Sequence, residues 1–164
     1  MRKWMGEETG RASEASALGQ HGVREHDADI VLWSEHQSAL LRRIAAGEMV
    51  NSAEIDWSNI AEEIETVGWM QVDAVESLLF QALVHMLKTE AWPHSPSAPI
   101  WREEARRFRA QARRRFMPSM HNRIDLAGLY ADALRALPET IEGQEPLPVS
   151  KQCPVTLDGL LSEG

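Results

Sequence analysis

Residues 56–90 read DWSNIAEEIETVGWMQVDAVESLLFQALVHMLKTE. Asp56 is placed to cap a helix, because its carboxylate can accept from the free N–H groups of the first turn and opposes the positive end of the helix dipole. Ile55 and Ile60 have the spacing of a hydrophobic staple around that cap. Trp57, Ile60, Ala61, Ile64, Val67 and Gly68 recur at three- and four-residue intervals, which predicts an apolar, core-facing stripe. Glu63 and Glu65 flank the stripe on opposite sides, and Glu62 points further away. From Ser77 to Leu87 the chain is apolar nearly all round, the pattern of a helix enclosed by others. That run is well short of the roughly 20 residues a membrane span needs. Gly68 sits between the two halves, so the stretch reads either as one long helix or as two joined there.

Working outward, Asp27 or Asp29 can cap a preceding helix. Its apolar spacing runs through Ile30, Trp33, Gln37, Leu40, Leu41 and Ile44, with Gly47 as its stop. On the other side, residues 91–98 (AWPHSPSA) form a connection, and Pro99 suits the first turn of the next helix. Trp101, Ala105, Phe108, Ala112 and Phe116 make the stripe of that helix, and Pro118 ends it. Ser119 can cap a further helix with Met120, Ile124, Ala127, Ala131 and Leu134 on one face. Residues 138–154 hold four prolines and read as an irregular tail. Thr156 can cap a short last helix that docks through Leu157, Leu160 and Leu161.

No β-rich run or internal repeat appears. The fold class predicted is all-α, a helical bundle built around a long central helix or helix pair at about residues 56–90. Residues 26–162 are expected to form a single helical domain. Residues 1–25, with Trp4 and Leu18 as their only large anchors apart from Met, are expected to be a flexible N-terminal arm.

The chain has 164 residues, a net charge of −8 and one cysteine, Cys153. The acidic balance disfavours a broad nucleic-acid role. A lone cysteine excludes an internal disulfide and fits a reducing compartment. No apolar h-region follows the first basic residues, so the expected location is cytoplasmic and no membrane is involved.

The charges are segregated along the sequence. Six acids and no Lys or Arg lie between Asp56 and Leu87, whereas seven arginines and two acids lie between Pro99 and Phe116. Arg102, Arg106, Arg109 and Arg113 share one side of their helix. The expectation is that spine acids and these arginines pair within the molecule, each exposed pair contributing about 0–1 kcal/mol. The alternative is an open arginine patch for phosphate, RNA or an acidic partner.

The spacing D-W-x-N-I-A-E-E-I-E-x-x-G at 56–68, followed by His85-Met86-Leu87-Lys88, resembles the bacterial domain-of-unknown-function family 29. Asp27, Asp29, Trp33, Gln37 and Leu40-Leu41-Arg42 resemble its opening helix. Trp101 with the arginines through Arg115 and Pro118-Ser119 resembles a later segment, and Cys153-Pro154-Val155-Thr156 resembles its C-P-Y-T ending. Met120 stands for the usual Leu, Val155 for Tyr, and the aromatic expected soon after Lys88 comes only at Trp92. The resemblance covers residues 27–162. It implies an all-helical fold and brings no activity. Its motif residues Asn59, Glu62, Glu63, Glu65, His85 and Lys88, with Arg102, Arg106, Arg109 and Arg113, are the candidate functional residues.

Three kinds of chemistry are open to these residues. Spine carboxylates and His85 are suitable metal ligands, with Glu63 and His85 the pair to consider. However, no E-x-x-H is present, and in one unbroken helix those two lie about 33 Å apart. Arg115 and His121 have the R-x(5)-H spacing of some helical nucleases. Cys153 has no neighbouring base and fits a turn. Phosphate-loop, dinucleotide, nucleophile-elbow and zincin signatures are absent, and no cofactor is implied. Six tryptophans favour an interaction module, with Trp33, Trp57 and Trp101 on core faces and Trp69 and Trp92 at the ends of spine segments. The reading is a non-catalytic helical protein acting through a protein partner or homo-oligomer. The alternative is a metal-dependent or nucleic-acid-directed enzyme using the spine carboxylates, His85 or the arginine helix.

Overall fold

The computed structural model describes residues 25–162, and the expected arm lies outside them but for Glu25. The described chain is all-α, with no strand among the described residues. Five α-helices follow a helical turn at 25–28: α1 (Ile30–Ala45), α2 (Trp57–Ala91), α3 (Ala98–Arg115), α4 (Leu126–Arg135) and α5 (Leu157–Leu161). Short 3-10 turns occupy Ser52–Glu54 and Pro118–Met120. Residues 56–90 thus form one helix, continuous through Gly68. No described helix is long and apolar enough to cross a membrane.

The chain forms two compact units, one up to Val67 and one from Gly68 onward. In the first, Asp29 caps α1, its carboxylate accepting from the N–H groups of Val31 and Leu32 at 3.1 and 3.0 Å. The helix closes where the sequence places its stop. Gly47 adopts φ +80°, which an L side chain resists. Its N–H donates to the Ile44 carbonyl and the next N–H, of Glu48, to Arg43, giving a Schellman closure. Trp33, Gln37 and Leu40 form the buried face of α1, and Ile55 is buried just before α2.

The second unit holds a larger core. Val72, Val75, Leu79, Leu83 and Leu87 of α2 pack with Ala112 of α3, Met120, Ile124, Tyr130 and Ala133, and with Leu157, Leu160 and Leu161 of α5. Pro99 lies in the first turn of α3. Thr156 caps α5 by accepting from the Gly159 N–H at 3.1 Å. The Arg109 guanidinium reaches from α3 to the far end of α5, donating to the carbonyls of Leu160 (2.7 Å), Gly159 (3.1 Å) and Ser162 (3.3 Å). Those carbonyls are the ones a helix terminus leaves unpaired. Between α4 and α5 the chain is irregular. A tight turn at 141–144 has positive φ at Glu142 and Gly143, and the Trp92 indole donates to the Gln144 carbonyl at 2.9 Å.

Two expectations need correction. The fourth helix starts at Leu126, not after Ser119. Asp125 is its cap, accepting from the Gly128 N–H at 3.0 Å, while Pro118–Met120 close into a 3-10 turn. Trp57, Ile64 and Val67 do not face a core, since they are 55%, 69% and 61% exposed. Their spacing makes one face of the helix apolar, but no described residue of the first unit buries it. Of the two spine-end tryptophans, Trp92 is buried and Trp69 is exposed.

The two halves of α2 should therefore respond differently to truncation. In urea unfolding, Leu79→Ala is expected to cost about 2–5 kcal/mol, the usual range for emptying a close-packed site. Ile64→Ala should stay within about 0.5 kcal/mol. Equal losses at both positions would show that the stripe is covered.

Candidate functional site

Four family-motif residues of the first unit, Trp33, Gln37, Asp56 and Asn59, meet in one hydrogen-bonded cluster. Trp33 and Gln37 lie one turn apart on α1, and both reach the segment entering α2. The Gln37 amide accepts from the Asp56 N–H at 2.9 Å and donates to the Glu54 carbonyl at 3.2 Å, so it holds the backbone on both sides of Ile55. Asp56 Oδ2 accepts from the Trp33 indole at 3.2 Å and from the Asn59 amide at 2.7 Å. Its Oδ1 lies 3.4 Å from the Asn59 N–H, the cap position.

Beside this, His26 Nε2 pairs with Glu63 Oε1 at 2.8 Å, and its ring stands edge-on to Trp33 with centroids 4.7 Å apart. The hydrogen bond to Glu63 raises the His26 pKa above its ordinary value, with Asp27 adding to the effect and burial opposing it. His26 was not singled out by the sequence. It precedes the cap of α1, where no periodicity marks it. Glu62 and Glu65 are exposed and make no ion pair among the described residues.

In the second unit, His85 stacks on Phe108 of α3, with centroids 5.7 Å apart and planes 14° from parallel. Its Nδ1 is enclosed and has no hydrogen-bond partner among the described residues. Burial lowers its pKa, helped by the charges of Lys88 and Arg107 and opposed by Glu104. Glu63 is engaged by His26, and both Glu63 and His85 belong to the one helix α2. Among the described residues no group of three or more His, Cys, Asp or Glu is placed to hold a metal.

The predicted pairing of spine acids with the arginine helix does not form at the spine acids of this unit. Asp73 and Glu76 make no ion pair. Arg106 instead pairs with Glu103 at 2.7 Å and Arg107 pairs with Glu104, each one turn away on α3. Arg109 is committed to α5, Arg102 is exposed, and Arg113 is exposed but not free. A shallow groove of about 510 Å³ lies along Glu103, Arg106, Arg107, Ala110, Gln111 and Arg114. A second groove, of about 490 Å³, is acidic, with Asp73, Glu76 and Asp132 around Leu78, Phe80 and Leu129. His121 lies 3.5 Å from Asp158, and Arg115 is exposed at the end of α3. The Cys153 thiol donates to the Val155 carbonyl at 3.3 Å within a turn.

The cluster joining Trp33, Gln37, Asp56 and Asn59 is built from the residues that define the opening and spine motifs. A family model described as the domain of unknown function DUF29 matches residues 26–164. The chain belongs to the DUF29 family. A solved structure similar to this chain, an alpha-helical protein of unknown function from Rhodospirillum rubrum ATCC 11170, is 27% identical, with a TM-score of 0.61. The match covers 84% of the DUF29 chain and 89% of that protein. No curated protein matches it.

Two measurements test the cluster. Gln37→Leu leaves the Asp56 N–H and the Glu54 carbonyl without their partner, and is expected to cost about 1–3 kcal/mol in urea unfolding. A loss below that range would mean the turn is held elsewhere. The two histidines should titrate on opposite sides of their ordinary value of 6.5. The stability from His26 is complete below 6.5 and is lost as pH rises through its raised folded value. The neutral state that the fold imposes on His85 costs stability as pH falls from 6.5 through its lowered value. Proton NMR titration of the ring C–H signals reads both. Glu63→Gln should lower the His26 value, since it removes the largest cause of the rise, and leave His85 unmoved.

Proposed function

We propose that this DUF29 chain is a non-catalytic cytoplasmic protein that works by protein–protein association through its first unit. The observation that supports this reading is where the exposed apolar side chains lie. Ile30, Val31, Leu32, Ile44, Met49, Trp57, Ile64 and Val67 are all exposed within residues 25–67, whereas the longer second unit exposes only Trp69, Met70, Ile100, Met117 and Leu147 among its described large apolar residues. Single exposed apolar residues are ordinary, but a concentration of them on one small unit marks an interaction surface. The polar motif residues Trp33, Gln37, Asp56 and Asn59 are occupied with one another. An active site needs convergent polar groups facing a cleft, and these groups face the turn they hold together.

Native mass spectrometry on protein purified from its own host at low salt tests the reading. The expected result is a homo-oligomer or a complex with a defined second chain, reduced to the bare monomer by Ile64→Glu. Glutamate is a good helix former, so this exposed change should leave the fold intact. A bound small molecule or metal, retained by Ile64→Glu and lost in His85→Ala, would overturn it.

A further inference from the structure

We propose that the open face at the start of α2 receives a basic amphipathic helix of another protein. The inference rests on the association reading and assigns the partner's chemistry. At about 100° per residue, Trp57, Ala61, Ile64 and Val67 fall within an arc of about 120°. That width suits a second helix laid along the first. Ala61 stands between the two largest exposed side chains, Trp57 and Ile64. A small residue there leaves room for a partner helix at the usual axis separation of about 8–10 Å. Trp57 offers a broad apolar ring of the kind that anchors helix-in-groove contacts.

Charge decides which helix fits. Residues 25–67 contain ten Asp and Glu against two arginines, Arg42 and Arg43, a net of −8 that equals the net charge of the whole chain. Arg43 is already paired with Glu48. Glu65 borders the stripe, Glu62 stands behind it, and both are exposed without an ion pair among the described residues. α2 has no Lys or Arg before Lys88. A partner with Lys or Arg beside an apolar stripe meets complementary charge along this face. A second copy docking the same face would bring −8 against −8, a like-charge juxtaposition that works against association.

The probe is a synthetic amphipathic peptide of about five helical turns, with Leu at three- and four-residue spacing and Lys at the remaining positions. A twin carries Glu in place of every Lys. Each is titrated into the full chain by calorimetry at low salt. The Lys peptide should bind and the Glu twin should not. Ile64→Glu should weaken the Lys peptide about tenfold or more although it adds negative charge, because the loss is apolar. Reversing Glu62→Lys and Glu65→Lys together should weaken it about fivefold, and raising the salt should do the same.

Equal binding of both peptides, or Lys-peptide binding unchanged in Ile64→Glu, overturns the proposal. So does a dimer, seen by light scattering, that Ile64→Glu dissociates, since a second copy then covers the face. Binding seen only after Lys3→Glu with Trp4→Ala in the full chain would assign the face to the chain's own first residues and overturn it too. If the native mass spectrum shows a partner lost in Ile64→Glu and the Lys peptide still does not bind, the association reading stands and the basic-helix assignment falls.

Discussion

Enclosure of α2 from Val72 onward is the constraint on which the second unit depends. Val72, Val75, Leu79 and Leu83 would hold one face, but Val84, Leu87 and Ala91 are buried on other sides, so the helix needs neighbours all round. α3, α4, α5 and the irregular segment between α4 and α5 supply them. That segment has no repetitive backbone pairing of its own, and it is tied down bond by bond. The Leu147 N–H donates to the Ala91 carbonyl at 2.8 Å, and the Tyr130 hydroxyl donates to the Ser150 carbonyl at 2.8 Å. The first of these satisfies a carbonyl at the end of α2, and the second gives a buried phenol the partner it requires. Arg109 does the equivalent work for α5, which is too short to stand without tertiary support.

The first unit is built on a different balance. Its buried apolar side chains are few, and its geometry is specified by polar bonds around Asp56. One carboxylate caps α2, receives the Trp33 indole and holds Asn59. Gln37 meanwhile pairs with the backbone on either side of Ile55. A satisfied buried network of this kind fixes one arrangement, because any slip leaves several desolvated groups unpaired at once. The motif residues Trp33, Gln37, Asp56 and Asn59 of the DUF29 chain are the means by which α1 and the start of α2 hold their turn.

Much of this was legible in the sequence. Caps are legible where a short polar side chain, a change of period and a stop agree: Asp56, Thr156 with its three leucines, and the pair Asp27 or Asp29 with Gly47, of which Asp29 is the cap. The fourth helix was placed too early because Ser119 after Pro118 imitates a start signal, while Asp125 lies further along the same apolar pattern. Charge pairing was misjudged for a plain reason. Glu103 and Glu104 sit one turn from Arg106 and Arg107, so those arginines find partners without ordering another element. The stripe of Trp57, Ile64 and Val67 was read as core because periodicity records that a helix face is apolar, and not whether its own chain covers it. His26 and Tyr130 carried no signal, since each is defined by a distant partner.

An open apolar stripe normally promotes clumping of the free protein, and the placement of charge explains how this one is kept available. Residues 25–67, the described part of the first unit, carry a net charge of −8, equal to that of the whole chain, and expose most of the described large apolar side chains. Repulsion between two such units opposes contact through their apolar faces, because both carry the same sign. The same carboxylates leave α2 without basic side chains of its own to neutralise them before Lys88. Were the stripe meant for the chain's own core, acids of this density beside it would be a cost without a return. On an exposed face they separate copies from one another while leaving hydrophobic and electrostatic complementarity open to a different surface.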